Sequence, residues 1–198
     1  MEKYNKENIE DDLWDSHQSF INHLMKKYGP VPYDYFVDKS CSSRNAKNSR
    51  SSEGLVIHHK DENKASMLSD QKYALKAPFK YQKAERLVYC NLLEHLILHL
   101  KIFKNNPALG LGGMINYMIP TINDYYNGWR PKQGNLDKIY SVLDDNLDGY
   151  ISILIELGQE AFNYPWLDKR VNKEKMSKGS DGKIVQIVYD KLKDSMIL

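Results

Sequence analysis

Cysteine is scarce in this sequence, with two residues among 198. Cys41 and Cys90 lie far apart and form no CxxC unit, so neither a disulfide framework nor a thiolate zinc ribbon is expected. Cys90 falls in an apolar stretch that reads as a strand, and we expect it to be a packed free thiol. The chain therefore does not fit the disulfide-rich secreted class.

Long apolar runs and a surplus of one charge are also absent. No apolar segment approaches the length of a membrane span, and residues 1–12 are polar and charged rather than typical of a signal peptide. We therefore expect a cytoplasmic protein without membrane contact. The 28 basic and 26 acidic side chains give a net charge of +2, which argues neither for nor against a nucleic-acid partner.

Histidine, in contrast, is concentrated in two places. Four of the six histidines lie in the stretches Gly54–Asn63 and Arg86–His99. The first stretch begins with an apolar run at residues 55–57, which predicts a short strand followed by the pair His58 and His59.

The second histidine-bearing stretch predicts a strand followed by a helix. Residues 86–90 are predicted to form a strand, in which an apolar run follows Arg86. Asn91 with Glu94 three residues later matches a capping box at a helix start. His95 and His99 are then four residues apart and project from one helix face. Glu94 precedes both histidines, whereas the glutamate of the HExxH motif follows the first one. The zinc-protease motif is therefore excluded.

These two stretches resemble the HNH, or ββα-metal, endonuclease family over roughly residues 54–101. The resemblance is greatest to the branch with two helix histidines, as in colicin-type DNases. It implies a hairpin and helix that hold one divalent ion (Mg, Mn, Zn or Ni) through His58, His95 and His99. It also implies that His59 is the general base that activates water. Imidazoles suit both roles, because they bind divalent transition metals and titrate near neutral pH.

The sequence departs from that family at its middle asparagine. In colicin-type spacing this slot falls near Arg86, whereas Asn91 fits a helix cap. We therefore expect Asn91 to be structural, and Arg86 to occupy the structural slot or contact phosphate. Asp61 and Glu62 follow the histidine pair, and we expect these carboxylates either to orient imidazoles or to lie on the surface.

A basic, flexible segment leads into the first histidine stretch. Residues 39–52 are rich in serine and asparagine and contain no acidic residue. We predict that Arg44, Lys47 and Arg50, together with Lys60, contact nucleic-acid phosphates. The alternative is an ordinary solvated surface loop.

Helical patterns dominate the rest of the chain. We expect helices at Asn5–Tyr28, Asp70–Ala77, Met114–Tyr126 despite Pro120, Leu136–Phe162 as one helix or a pair, and Ile184–Met196. His17 and His23 in the first of these do not share a face, and we expect ordinary helix residues rather than metal ligands. A basic stretch at residues 170–178 is interpreted as a solvated linker.

The predicted fold is α+β and mostly α, with a small ββα-metal (HNH) module packed among N- and C-terminal helices. One domain, residues 1–198, would comprise an N-terminal helix and basic loop (1–53), the ββα-metal core (54–104) and a helical extension (105–198). The predicted function is metal-dependent hydrolysis of DNA phosphodiester bonds.

Three alternatives remain open from the sequence. A catalytically silent HNH-like module would bind nucleic acid or inhibit another protein. An RNA-cleaving or toxin nuclease would have the same site with a different substrate groove, and a toxin would have an inhibitor protein as its partner. A metalloprotein of other chemistry would bind metal without cutting nucleic acid.

Overall fold

A two-stranded antiparallel sheet and a long buried helix lie at the centre of the structure, a computed structural model that describes residues 5–132 and 134–162. The helices are α1 (Lys6–Trp14), α2 (His17–Tyr28), α3 (Gln71–Ala74), α4 (Leu92–Asn105), α5 (Leu111–Gly113), α6 (Ile119–Tyr126), α7 (Leu136–Tyr140) and α8 (Leu147–Phe162). The strands are β1 (Val56–His59) and β2 (Leu87–Cys90). Short 3-10 turns cover Ala46–Asn48, Ser51–Glu53, Lys60–Asn63, Phe79–Gln82, Ala84–Arg86 and Ser141–Leu143, and a π turn covers Met114–Met118. A mostly helical α+β fold is confirmed.

The hairpin separates two apolar cores. Val88 of β2 packs in the larger core with the helices, whereas Leu87 packs in a smaller core with Tyr35. His58 pairs with Val88 across the ladder, and His59 pairs with Leu87. Because paired residues of an antiparallel ladder project to the same face, His58 faces the helical core and His59 faces the smaller one.

Helix α4 is fixed at its N-terminus by the predicted capping box, which is confirmed. The Asn91 side chain accepts hydrogen bonds from the backbone N–H groups of Leu93 and Glu94, and the Glu94 carboxylate accepts one from the backbone N–H of Asn91. The same carboxylate accepts hydrogen bonds from Lys27 (2.7 Å) and Tyr28 (3.1 Å) of α2. The start of α4 is therefore tied both to its own backbone and to a neighbouring helix.

The prediction of one helix over Asn5–Tyr28 is wrong, since α1 and α2 are separate. Asp15 has an extended backbone conformation, and the Ser16 side chain caps α2 by accepting a hydrogen bond from the backbone N–H of Ser19. Serine at this position competes with a continuous helix because its hydroxyl satisfies a free N–H group of a new helix start.

The predicted helix at residues 114–126 begins earlier, at Leu111, and contains the π turn before α6. Pro120 lies in the first turn of α6. Proline has no N–H group for regular i to i−4 bonding, and a helix start tolerates it best. The wider turn therefore lets the helical path continue through Pro120.

The predicted helix or helical pair over residues 136–162 is a pair, α7 and α8, and α8 packs against α1 and α4. The helix predicted near residues 70–77 is shorter, with Asp70 as its N-cap. The predicted helix at Ile184–Met196 and the basic stretch at 170–178 lie outside the described residues. Within the described part of the chain, no helix has the length and apolar character required to cross a membrane.

Lys101 of α4 is a buried lysine that connects α4 to the end of α1. It is 4% exposed, and its ammonium group donates hydrogen bonds to the backbone carbonyls of Leu13 (3.2 Å) and Asp15. Carbonyls at a helix C-terminus lack helical partners and carry partial negative charge. Burial lowers the pKa of Lys101 from 10.5 to about 8, and nearby Asp15 opposes this shift.

We expect Lys101→Met to lower the free energy of unfolding by about 1–3 kcal/mol, because buried carbonyls lose their donor. The pH dependence has a defined sign. The folded-state pKa lies below the ordinary value, so between about pH 8 and 10.5 the unfolded chain binds more protons, and wild-type stability relative to this variant rises with pH. Urea denaturation across that window measures both effects.

The control for this substitution is Lys26→Met, which removes an exposed lysine from α2. We expect it to change stability by less than about 0.5 kcal/mol at any pH in the window. A stability gap between wild type and Lys101→Met that narrows as pH rises would contradict the assigned pKa of Lys101.

Candidate metal centre

Three histidines from β1 and α4 converge on one point. The ring centroid of His58 is 5.2 Å from those of His95 and His99, and the latter two centroids are 4.9 Å apart. One nitrogen from each ring lies within 4.8 Å of the others. The four-residue spacing on α4 and the inward-facing position of His58 on β1 account for this cluster. The structure thus brings together the three residues predicted as metal ligands.

The chemistry of the cluster fits a metal ion. Within the described residues, both ring nitrogens of His58 are buried without a hydrogen-bond partner, which is costly for polar atoms. Nε2 of the nearby His17 and Nδ1 of His99, which lies on the Gly113 side of its ring, are also buried without a partner. Burial, with a smaller contribution from the neighbouring histidines, lowers the pKa of His58 well below its usual range and the pKa of His95 to about 3. Neutral imidazole is the form that binds divalent metals.

His95 is the least buried member of the cluster. His58 and His99 are buried, whereas His95 is partly exposed. Three protein ligands leave at least one coordination position for water or a substrate oxygen. An accessible edge at His95 is therefore compatible with a reactive centre as well as with a structural one.

Glu62 and His17 also lie at the cluster, and sequence reasoning gave neither a ligand role. The Glu62 Oε2 atom is 3.1 Å from Nε2 of His99 and 3.8 Å from Nδ1 of His58. Burial raises the pKa of Glu62, but the hydrogen bond and charge of His99 outweigh it and hold the pKa below its usual range. The ring centroid of His17, at the start of α2, is 6.5 Å from that of His58. The sequence signal that could have indicated a role for Glu62 at the cluster is its position four residues after His58.

His59 lies on the opposite face of the hairpin from the three-histidine cluster. It is 1% exposed, its Nε2 is 2.9 Å from Oε1 of Gln82, and its ring centroid is 4.4 Å from that of Tyr35. Burial lowers the pKa of His59, against smaller opposite effects of Glu62 and Gln82. The residue predicted as the general base is therefore enclosed in the smaller core.

Asp61, Arg86 and Asn91 have structural partners. The Asp61 carboxylate accepts two hydrogen bonds from Arg86, both 2.5 Å, and one from Lys64 (2.8 Å). Burial raises the pKa of Asp61, but these partners outweigh it and lower the pKa overall. Asn91 caps α4. Both Asp61 and Glu62 are buried, so the expectation of surface placement is wrong for this pair.

Two of the predicted phosphate contacts are exposed. Arg44 donates a hydrogen bond to the Ser69 carbonyl (3.0 Å), and the Lys47 ammonium lies 5.5 Å from the Tyr33 ring centroid. Arg44 and Lys47 are both exposed. Arg44 and Lys47 therefore remain available to an anionic partner.

The other two predicted phosphate contacts are engaged within the chain. Arg50 donates to the Glu53 carboxylate and to the Tyr28 carbonyl (2.5 Å). Lys60 donates to the Glu85 carbonyl (2.9 Å), and burial lowers its pKa. These contacts favour structural roles for Arg50 and Lys60.

Comparison with known proteins does not identify the chain. No family model, curated protein or solved structure matches it. The geometry of the three histidines and Glu62 is therefore the basis for inferring function.

Gly113 of α5 provides the space that the His99 ring occupies. A Cβ atom at this position would lie 3.0 Å from Cε1 and 3.2 Å from Nδ1 of His99. A Cβ atom at the adjacent Gly112 would meet only Asn116 Nδ2, at 3.9 Å. The two glycines have similar backbone environments, but only Gly113 contacts a member of the cluster.

We predict that Gly113→Ala weakens zinc binding about tenfold, because the added methyl group displaces the His99 imidazole from its place. Gly112→Ala is the matched control, since it makes the same change in the same helix without touching the ring. Competition with a chromophoric chelator measures both zinc affinities. Equal affinities for the two variants would show that His99 is not held by this contact.

Proposed function

We propose that this chain is a metal-dependent endonuclease that hydrolyses DNA phosphodiester bonds and resembles HNH enzymes. The observation that supports the proposal best is the convergence of three imidazoles, two of which have buried nitrogens without a hydrogen-bond partner. The order strand, strand and helix around them agrees with a ββα-metal core at residues 54–104. Helices and a basic loop flank this core on its N-terminal side, and further helices follow it.

The roles in this proposal follow from position and chemistry. His58, His95 and His99 hold one divalent ion, and three imidazoles suit zinc, nickel or manganese better than magnesium. Such an ion, when bound, supplies Lewis-acid stabilisation of charge developing on the phosphate. Arg44 and Lys47 contact phosphates of the substrate backbone.

His59 is the proposed general base, and its surroundings define what that role requires. Its Nε2 is bonded to Gln82 and its ring is enclosed. To accept a proton from water, the ring has to exchange the Gln82 contact for a water molecule. His59 is the last residue of β1, where the ladder ends and such an exchange disturbs the fewest strand contacts.

A second candidate is a metal-stabilised module that binds nucleic acid without hydrolysing it. The position of His59 favours this candidate, because the residue proposed as the general base is enclosed in the smaller core, on the hairpin face opposite the three-histidine cluster. An RNA-cleaving enzyme, including a toxin with an inhibitor protein, has the same site. Cleavage assays on DNA and RNA separate these functions.

We expect purified protein to nick or linearise plasmid DNA with at least one of magnesium, manganese, zinc or nickel. His59→Ala should reduce cleavage by about 100-fold or more while metal binding is retained, since a general base contributes about that factor. His95→Ala should remove both metal binding and cleavage. Gel assays with parallel metal titrations measure the two properties separately.

His23→Ala is the control for these substitutions, because His23 is an exposed helix residue away from the cluster. It should cleave like wild type. If wild type binds metal and DNA but cuts neither DNA nor RNA, the non-hydrolytic module is the correct function. Cleavage that survives His59→Ala unchanged would remove this residue from the mechanism.

A further inference from the structure

The carboxylate of Glu62 is a buried ionisable group beside the cluster that the proposed mechanism does not use. It belongs to the 3-10 turn Lys60–Asn63, which follows β1 directly, and it is 8% exposed. Its side chain reaches back towards the histidine cluster, so that Oε2 lies near both His58 and His99.

The two distances from Glu62 match those between ligands of one ion. Metal–ligand bonds of about 2.1 Å place neighbouring ligand atoms of a tetrahedral site about 3.4 Å apart. Oε2 lies 3.1 Å from Nε2 of His99 and 3.8 Å from Nδ1 of His58. Both separations lie within about 0.4 Å of that value.

The charge balance around Glu62 also indicates a cation. In the part of the chain that the structure describes, its ion-pair contacts are with His58 and His99, and neither a lysine nor an arginine is paired with it. Its neighbour Asp61, by contrast, forms ion pairs with both Arg86 and Lys64. A buried carboxylate without a lysine or arginine partner is costly unless another positive charge, either a protonated histidine or a bound ion, compensates it.

The turn that carries Glu62 is held in place by Arg86 and Lys64. Asp61 is fixed by its bonds to Arg86 and Lys64, and the backbone N–H of Lys64 donates to the Asp61 carbonyl (2.8 Å). The residue beside Glu62 therefore cannot rotate freely. This restraint limits the positions open to the turn, from which the Glu62 side chain contacts His58 and His99.

We propose that Glu62 is a fourth protein ligand, so that the centre binds its ion through three histidines and one carboxylate. The inference rests on the metal-binding part of the proposed function and extends it. A carboxylate oxygen lowers the formal charge of the centre by one and suits harder ions such as manganese. Four protein ligands would fill a tetrahedral site, whereas an ion of five or six ligands would retain open positions for a substrate on the partly exposed His95 side.

The competing role for Glu62 is a hydrogen bond that only orients the His99 ring. Glu62→Gln separates the two roles, because a glutamine oxygen still accepts a hydrogen bond from the imidazole N–H group, whereas a neutral amide is a poor metal ligand. Glu85→Gln is the matched control. It makes the same chemical change at an exposed residue.

Cobalt(II) titration followed by visible absorption tests the proposal, since both band position and intensity depend on the ligand set. We expect Glu62→Gln to weaken cobalt binding at least tenfold and to change the spectrum, with Glu85→Gln like wild type. Thermal unfolding in chelator establishes that each variant is folded. If Glu62→Gln does not fold, Glu62→Asp replaces it, and its shorter side chain should also weaken binding and alter the spectrum.

The outcomes separate this inference from the proposed function. Wild-type binding with the same affinity and spectrum in Glu62→Gln would overturn the fourth-ligand role and leave the three-histidine centre intact. A wild-type protein that binds no cobalt, zinc or manganese would overturn the metal centre itself, and the proposed function with it.

Discussion

Antiparallel pairing of β1 with β2 against α4 is the constraint on which the candidate site depends. Side chains alternate along a strand, so consecutive residues of β1 enter different cores. His58 meets the helix histidines because it pairs with Val88 on the helical face. A register shift of one residue would exchange His58 for His59 and dismantle the cluster.

The anchoring of α4 fixes where its two histidines lie relative to His58. The helix is anchored at its start by Asn91 and Glu94 and further along by Lys101, whose bonds reach the end of α1. Between these anchors the helix is apolar and almost entirely buried. His95 and His99 therefore project from an element that has little freedom to adjust, and a bound ion requires correspondingly little reorganisation of α4.

Much of this arrangement could be predicted from the sequence, because it follows from local rules. The capping box at Asn91 fixed the start of α4, and the four-residue spacing fixed the shared face of His95 and His99. What could not be predicted depends on contacts between distant segments. The smaller core that encloses His59 is completed by Tyr35 and Gln82, and no local pattern links these residues to β1. The position of His17 beside the cluster could not be predicted either, because it depends on the packing of α2 against β2 and α4.

The separation of His58 and His59 also restricts how a substrate can use both. Along β1 the backbone lies between the two faces of the hairpin, with the cluster on one side and His59 on the other. That separation ends at the turn Lys60–Asn63, where Glu62 reaches the cluster immediately after His59 leaves the ladder. In the proposed mechanism, a phosphodiester that contacts both the ion and His59 would therefore approach at this end of β1. Asp61 and Arg86, which hold the turn, would then act on the proposed catalysis through the position of the turn rather than through contact with the reacting atoms.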